Sequence, residues 1–182
     1  MTTITLVDPA TVTGPAKSIM DGIAARRGGV PNMVRALAHS PAALAGYSRF
    51  LSALAGGVLS AALRERIGIA VARVNDCHTC LAAHTHYGRR EGISEEELAA
   101  AREGRSSDPA TAAALRFALL ALRGVGHVSE AEQAAARAAG FADAAMMEII
   151  AVVFINVFTN AVNHLAGTEP DEWHQPVDQA VP

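Results

Sequence analysis

The sequence predicts an all-α protein, on three observations. Ala, the strongest helix former, is very frequent, while aromatic residues make up only 4% of the 182 residues. No stretch alternates apolar and polar residues with period two. Each break between apolar stretches carries a helix start or stop signal.

Those signals divide the chain in order. Residues 1–14 read as an irregular arm broken at Asp8-Pro9 and Gly14-Pro15. Pro15 opens a helix that ends at Gly28-Gly29, the usual placement of Pro at the start and Gly past the end. Pro31 opens a short one, and Ser40-Pro41 caps a third that runs to Gly56-Gly57. Ser60 precedes a helix with an apolar face of Leu63, Ile67, Ala70, Val71 and Val74. Asn75-Asp76 reads as a break, and a new helix carries Cys77 to Arg90.

Ser94/Glu97 and Ser129/Glu132 have capping-box spacing. Asp108-Pro109 starts the helix that ends near Gly124, and Gly140 closes the one begun at Ser129. A long apolar helix spans about 142–164, with Met146 and Met147 expected in the core. The 167–182 arm, with three prolines, reads as irregular, and Trp173 as its anchor against a neighbour. One domain over 1–182 is expected, since the length suffices to bury a substantial core.

A net charge of −3 without a basic block speaks against nucleic acid as a partner. The N-terminus lacks a basic n-region and a continuous apolar h-region. The most apolar run, Ala144 to Phe158, contains Glu148 and falls short of the roughly 20 residues that span a bilayer. The expectation is a soluble cytoplasmic protein with no membrane partner. In a reducing cytoplasm a C-x-x-C pair is more often catalytic or metal-binding than a structural staple.

The only two cysteines, Cys77 and Cys80, form such a pair. On a helix turning about 100° per residue, Cys80 lies about 60° from Cys77, and His84 follows at i+4 and i+7, so the three share a face. His78 and His86 point elsewhere and read as surface or partner-facing. Glu65 would be roughly 18 Å from Cys77 along a straight helix. It reaches the thiols only if the chain folds back at Asn75-Asp76. A thiol at a helix N-terminus is biased towards thiolate, the form that attacks peroxides and disulfides. A base at His84, oriented by Glu65, could take its proton, and the second cysteine would resolve the product.

The pattern E-x11-C-x-x-C-x-x-x-H at Glu65, Cys77, Cys80 and His84 resembles the alkylhydroperoxidase D-like (AhpD-like) branch of the carboxymuconolactone decarboxylase superfamily. The flanking GGVPNMVRALAHSPAALAGY and NVFTNAVNHLAGTEPDEW resemble its peroxidase-related members, so the likeness covers about 28–173. The resemblance implies an AhpD-like helical bundle in homo-oligomers. It implies thiol-dependent reduction of hydroperoxides or disulfides, an antioxidant role, without a bound cofactor. It also implies a reducing dithiol partner, lipoyl-bearing or thioredoxin-like, and coupling to a peroxiredoxin. Carried over by position, Cys77 and Cys80 are the redox pair, Cys80 the peroxidatic thiol, and Glu65 and His84 the proton relay. Thr79 stands where the best-characterised members have a second His.

Other readings remain at this stage. Cys77, Cys80 and His84 could supply three metal ligands, although no second cysteine pair completes a structural zinc site. A carboxymuconolactone decarboxylase-like enzyme or an interaction protein are further alternatives. On the long apolar helix, Asn156, Asn160 and His164 recur at i, i+4 and i+8. Burial would require partners for them. Backbone or subunit-interface groups are the expected ones, a pocket wall near the thiols the alternative, and Thr79 is a further candidate for that wall.

Overall fold

Five of the predicted helix starts are closed by their own side chains. Ser40, Ser60, Ser94, Asp108 and Ser129 each accept the amide N–H three residues on, at 2.8–3.3 Å. The structure, a computed structural model, describes residues 3–174. Residues 1–2 and 175–182, with Pro176 and Pro182, lie outside that range.

Among the described residues there are nine helices and no strand. In order they are α1 (Gly14–Arg27), α2 (Asn32–Leu37), α3 (Pro41–Ala55), α4 (Ala61–Val74), α5 (His78–Arg90), α6 (Glu95–Arg102), α7 (Pro109–Gly124), α8 (Glu130–Ala138) and α9 (Asp143–Ala166). The fold class is all-α, as the sequence predicts.

Helix α9 is the axis of the bundle and touches α2, α3, α4, α5 and α7. At 24 residues it exceeds the apolar run on which the sequence estimate rested, and by length and composition alone it could cross a membrane. Here it buries Met146, Ile149, Val152, Val153 and Ile155 against the other helices. Met147 does not join them: it is 65% exposed, so only one of the two methionines is core. Glu148 is accommodated by its partners, accepting N–H groups of Val58 and Leu59 at 2.8–3.1 Å. A Cβ on Gly57 would occupy the space its carboxylate takes.

The capping boxes form only by half. Glu97 turns away from Ser94 to accept Ser106 and Ser107 hydroxyls, which hold its carboxyl down at about 2. Glu132 pairs with Arg116.

The core has two parts. One gathers Met20, Ile23, Val34, Leu37 and Leu44 from α1–α3. The larger gathers Ile67, Ile69, Leu98, Leu115, Ile149 and Val153 from α4–α9. Tyr47 packs against both, and a cavity opens along the seam between them. Residues 3–11 strap this seam from outside. The Thr3 amide reaches the Ala166 carbonyl, and Val7 and Arg35 exchange hydrogen bonds.

Candidate active site

The reversal between α4 and α5 brings the site together. Helix α4 ends at Val74, Asp76 takes a left-handed φ of 54°, and Cys77 is the N-cap of α5. Asp is among the residues that tolerate that conformation. Asn160 on α9 accepts the Asn75 side-chain amide at 2.8 Å, and His164 Nε2 meets the Asn75 carbonyl at 2.9 Å. Two members of the polar ladder thus brace the turn, and His164 is exposed.

With α4 and α5 antiparallel neighbours, Glu65 meets His84. Glu65 Oε2 lies 2.7 Å from His84 Nδ1. The carboxylate accepts Nδ1–H, which leaves Nε2 as the free, basic nitrogen. Gly68 makes this possible. A Cβ there would lie 2.6 Å from His84 Nδ1, so the imidazole occupies the space that any other residue would fill.

Cys77 and Cys80 are joined in a disulfide with a Cα separation of 5.3 Å, and both are buried. Cys77 Sγ also accepts the Cys80 amide across the first turn of α5. Asn163 Nδ2 donates to Cys80 Sγ at 3.1 Å and sits 3.9 Å from Cys77 Sγ. Asn163 is held in turn by Thr168, whose hydroxyl donates to its Oδ1, and Thr79 donates to the Thr168 carbonyl at 2.6 Å. Thr79 therefore ties the C-terminal arm to the disulfide.

The cavity holds about 490 Å³. Cys80, His84, Glu65, Thr79, Asn156 and Asn163 line it, whereas Cys77, Asn160 and His164 do not. Its walls are apolar at Ile23, Met33, Leu51 and Val152. Asn156 turns its amide to the Val152 carbonyl, at 2.8 Å.

A second polar group lines the same cavity, and the sequence did not point to it. Arg27 stacks on the Tyr87 ring, 4.3 Å from its centroid. Burial works against the Arg27 charge, but Tyr47, Tyr87 and Glu65 more than compensate and raise its pKa. Asp171 accepts the Asn32 amide at 2.7 Å, and its carboxyl is pushed up by burial. The side chain of His174 is 1% exposed. Burial, then the charges of His86, Arg27 and His84, push it down to about 4.

His86, partly exposed, packs one side of its ring against His174 with centroids 5.2 Å apart. His78 is exposed. Trp173 does anchor its arm, lying so close over Gly29 that a Cβ there would come within 2.9 Å of the indole. Among the described residues no three His, Cys, Asp or Glu side chains are gathered so as to hold a metal ion.

Residues 41–124, which include the whole α4–α5 site, match the carboxymuconolactone decarboxylase family. The fold is similar to that of an uncharacterised peroxidase-related protein from Ralstonia eutropha JMP134, described as an alkylhydroperoxidase AhpD core. The TM-score is 0.86 at 24% identity, over 94% of this chain and 93% of that one. A peroxidase-related protein from Silicibacter sp. TM1040 gives 0.80 at 24% identity, over 96% and 97%. A variant of the debrominase Bmp8, in complex with 2,3,4-tribromopyrrole, gives 0.79 at 17% identity, over 94% and 93%. No curated protein matches the chain. The match over 41–124 and the shared all-α fold are what the chain has in common with these proteins.

Proposed function

We propose that the protein is a dithiol-dependent peroxidase that reduces organic hydroperoxides and recycles through the Cys77–Cys80 disulfide. The observation that carries this reading is the placement of Cys80 on a cavity beside an imidazole already oriented by Glu65. In the reduced protein His84 Nε2 takes the Cys80 proton. The thiolate attacks the terminal peroxide oxygen and the O–O bond breaks. Sulfur keeps the OH as a sulfenic acid, and the alkoxide leaves with the proton from His84. Cys77 then attacks the Cys80 sulfur, the S–S bond forms and water leaves. One hydroperoxide and two thiols become one alcohol, one water and one disulfide.

An external dithiol, lipoyl-bearing or thioredoxin-like, closes the cycle. Its thiolate attacks Cys80 Sγ, the sulfur that faces the cavity, and Cys77 leaves as a thiolate already accepting the Cys80 amide. The second external thiol then releases Cys80, and both external protons end on the two cysteines. An antioxidant role, homo-oligomeric assembly and coupling to a peroxiredoxin belong to this same reading.

Thiol titration before and after stoichiometric cumene hydroperoxide tests it. The expected result is loss of two thiols and formation of one cumyl alcohol, with turnover in excess dithiol. Cys77→Ser and Cys80→Ser should each abolish turnover, and unchanged turnover in both would sink the reading.

A second reading draws on the debrominase likeness and on the same two-electron exchange. A dithiol can convert a carbon–bromine bond to carbon–hydrogen, releasing bromide and a proton as the disulfide forms. The apolar cavity walls beside Cys80 suit a halogenated ring. Stoichiometric bromide release from a bromopyrrole, with no hydroperoxide consumed, would favour it. Lactone decarboxylation finds no use for paired thiols.

A further inference from the structure

The cavity has a polar end that the dithiol chemistry does not use. Arg27 stands there beside two side chains, Tyr87 and His174, whose buried polar atoms meet no acceptor. Half-buried Arg27 makes no ion pair among the described residues, its side-chain partner being the Tyr87 phenol. The Tyr87 hydroxyl is buried, and its own proton meets no acceptor. Both ring nitrogens of His174 are likewise buried and unpartnered, and the nearest carboxylate oxygen, on Asp171, is 3.7 Å away. A buried polar group without a partner costs about 1–3 kcal/mol. Two such side chains beside a guanidinium on one cavity wall point to a ligand that completes them.

The charge balance indicates the sign of that ligand. Four arginines, Arg26, Arg27, Arg64 and Arg90, line the cavity against three carboxylates. Two of those carboxylates are engaged, Glu65 by His84 and Asp171 by the Asn32 amide. Arg64 is also engaged, by the Leu59 carbonyl. Guanidinium, phenol and imidazole N–H together match the two oxygens of a carboxylate, for which Arg offers a paired set of donors. The cavity also has apolar walls at Ile23, Met33, Leu51 and Val152, and its volume of about 490 Å³ leaves room for a body of about eight to ten carbons.

We propose that this end of the cavity is a carboxylate-binding subsite, formed by Arg27, Tyr87 and His174. It takes organic acids whose apolar body extends towards Cys80. For the reacting molecule this deepens the peroxidase reading, with a carboxylate-bearing organic hydroperoxide as the substrate class. The subsite itself is readable without turnover.

Calorimetric binding of octanoate and octanamide to the oxidised protein separates the two questions. Octanoate should bind at least about tenfold more tightly than the amide. Arg27→Met should bring that ratio to about one, and Arg27→Lys should keep part of it. Near-unchanged circular dichroism would show that each variant still folds. Equal affinity for both probes, an absence of binding by both, or a preference that survives Arg27→Met overturns the proposal.

A turnover arm then compares a carboxylate-bearing hydroperoxide with its methyl ester, the acid having the lower KM. If octanoate is preferred but neither hydroperoxide is consumed, the subsite stands and the peroxidase reading fails. If acid and ester turn over alike and octanoate has no advantage, the peroxidase reading stands and the subsite fails.

Discussion

The two ends of one cavity were built by different means. The chemical end lies within twenty residues of sequence, Glu65 to His84, and is made by one sharp reversal between two packed helices. The polar end joins the last residue of α1 to an arm beyond α9, Arg27 to His174, across nearly the whole chain. The first is held rigidly, by a disulfide, a carboxylate–imidazole hydrogen bond and a bracing asparagine. The second rests on ring contacts and on a tryptophan lying over a glycine. On the proposed reading, chemistry and recognition are separated within a single fold: the reversal would supply reactivity, the chain ends shape and charge.

The largest expected effect tests how closely the chemical end is fitted. Gly68→Ala puts a methyl group where His84 Nδ1 now lies, at 2.6 Å. The imidazole must leave Glu65 or α5 must shift outward. A displacement of about 1 Å in such a site costs about 10²-fold in rate. Overpacking should also cost about 1–3 kcal/mol of stability, seen as a lowered melting temperature. Full peroxidase activity in a folded Gly68→Ala protein would show that the Glu65–His84 contact is dispensable.

The two ends also differ in how far the sequence revealed them. Cys77, Cys80, His84 and Glu65 were legible because reactive residue types are few and helical geometry restricts which of them can meet. Even the bend at Asn75-Asp76 followed, since without it Glu65 had no route to the thiols. Gly68 was silent: a glycine inside a helix does not announce which side chain uses its missing Cβ.

Asn163 was passed over for a geometrical reason. The sequence spacing favoured Asn156, Asn160 and His164, but eight residues turn a helix by about 80° past two full turns, and seven fall about 20° short of them. The face that meets the disulfide therefore carries Asn163, while His164 turns outward to Asn75. Arg27 and His174 could not be foreseen at all, because nothing local pairs residues that come together only through the tertiary fold.

Asn163→Ala is the intermediate test, since Asn163 belongs to α9 and serves the chemical end from outside the reversal. It removes the donor 3.1 Å from Cys80 Sγ and leaves the Thr168 hydroxyl without its acceptor. A hydrogen bond to sulfur that strengthens as thiolate develops is worth about 1.4 kcal/mol, or about tenfold. The loss should appear in the rate at which an external dithiol reduces the disulfide. Asn163→Asp should be slower still, because a carboxylate repels a developing thiolate. Equal reduction rates in all three proteins would limit Asn163 to a packing role.

The smallest effect belongs to the polar end, and it is read in stability. His174 is held at about 4 in the folded protein, against an ordinary value of 6.5, by burial and by the charges of His86, Arg27 and His84. Between those values the unfolded chain binds the proton and the folded one does not. Stability from this group is therefore intact above about pH 6.5 and falls as pH drops towards 4. Asp171 works in the opposite sense over its own range, since its raised carboxyl takes up a proton earlier in the folded state.

His174→Phe keeps the ring contacts and removes the titration, so the comparison with wild type isolates the histidine. The variant should gain about 1–2 kcal/mol over wild type on going from pH 7 to pH 5, as denaturation midpoints would show. Gly68→Ala should show no such pH dependence, since its cost is steric. Parallel pH profiles for wild type and His174→Phe would mean that the arm opens and wets His174 before the bundle unfolds. The polar end would then be a separately melting part of the molecule, and the contrast between the two ends would be sharper than the static structure displays.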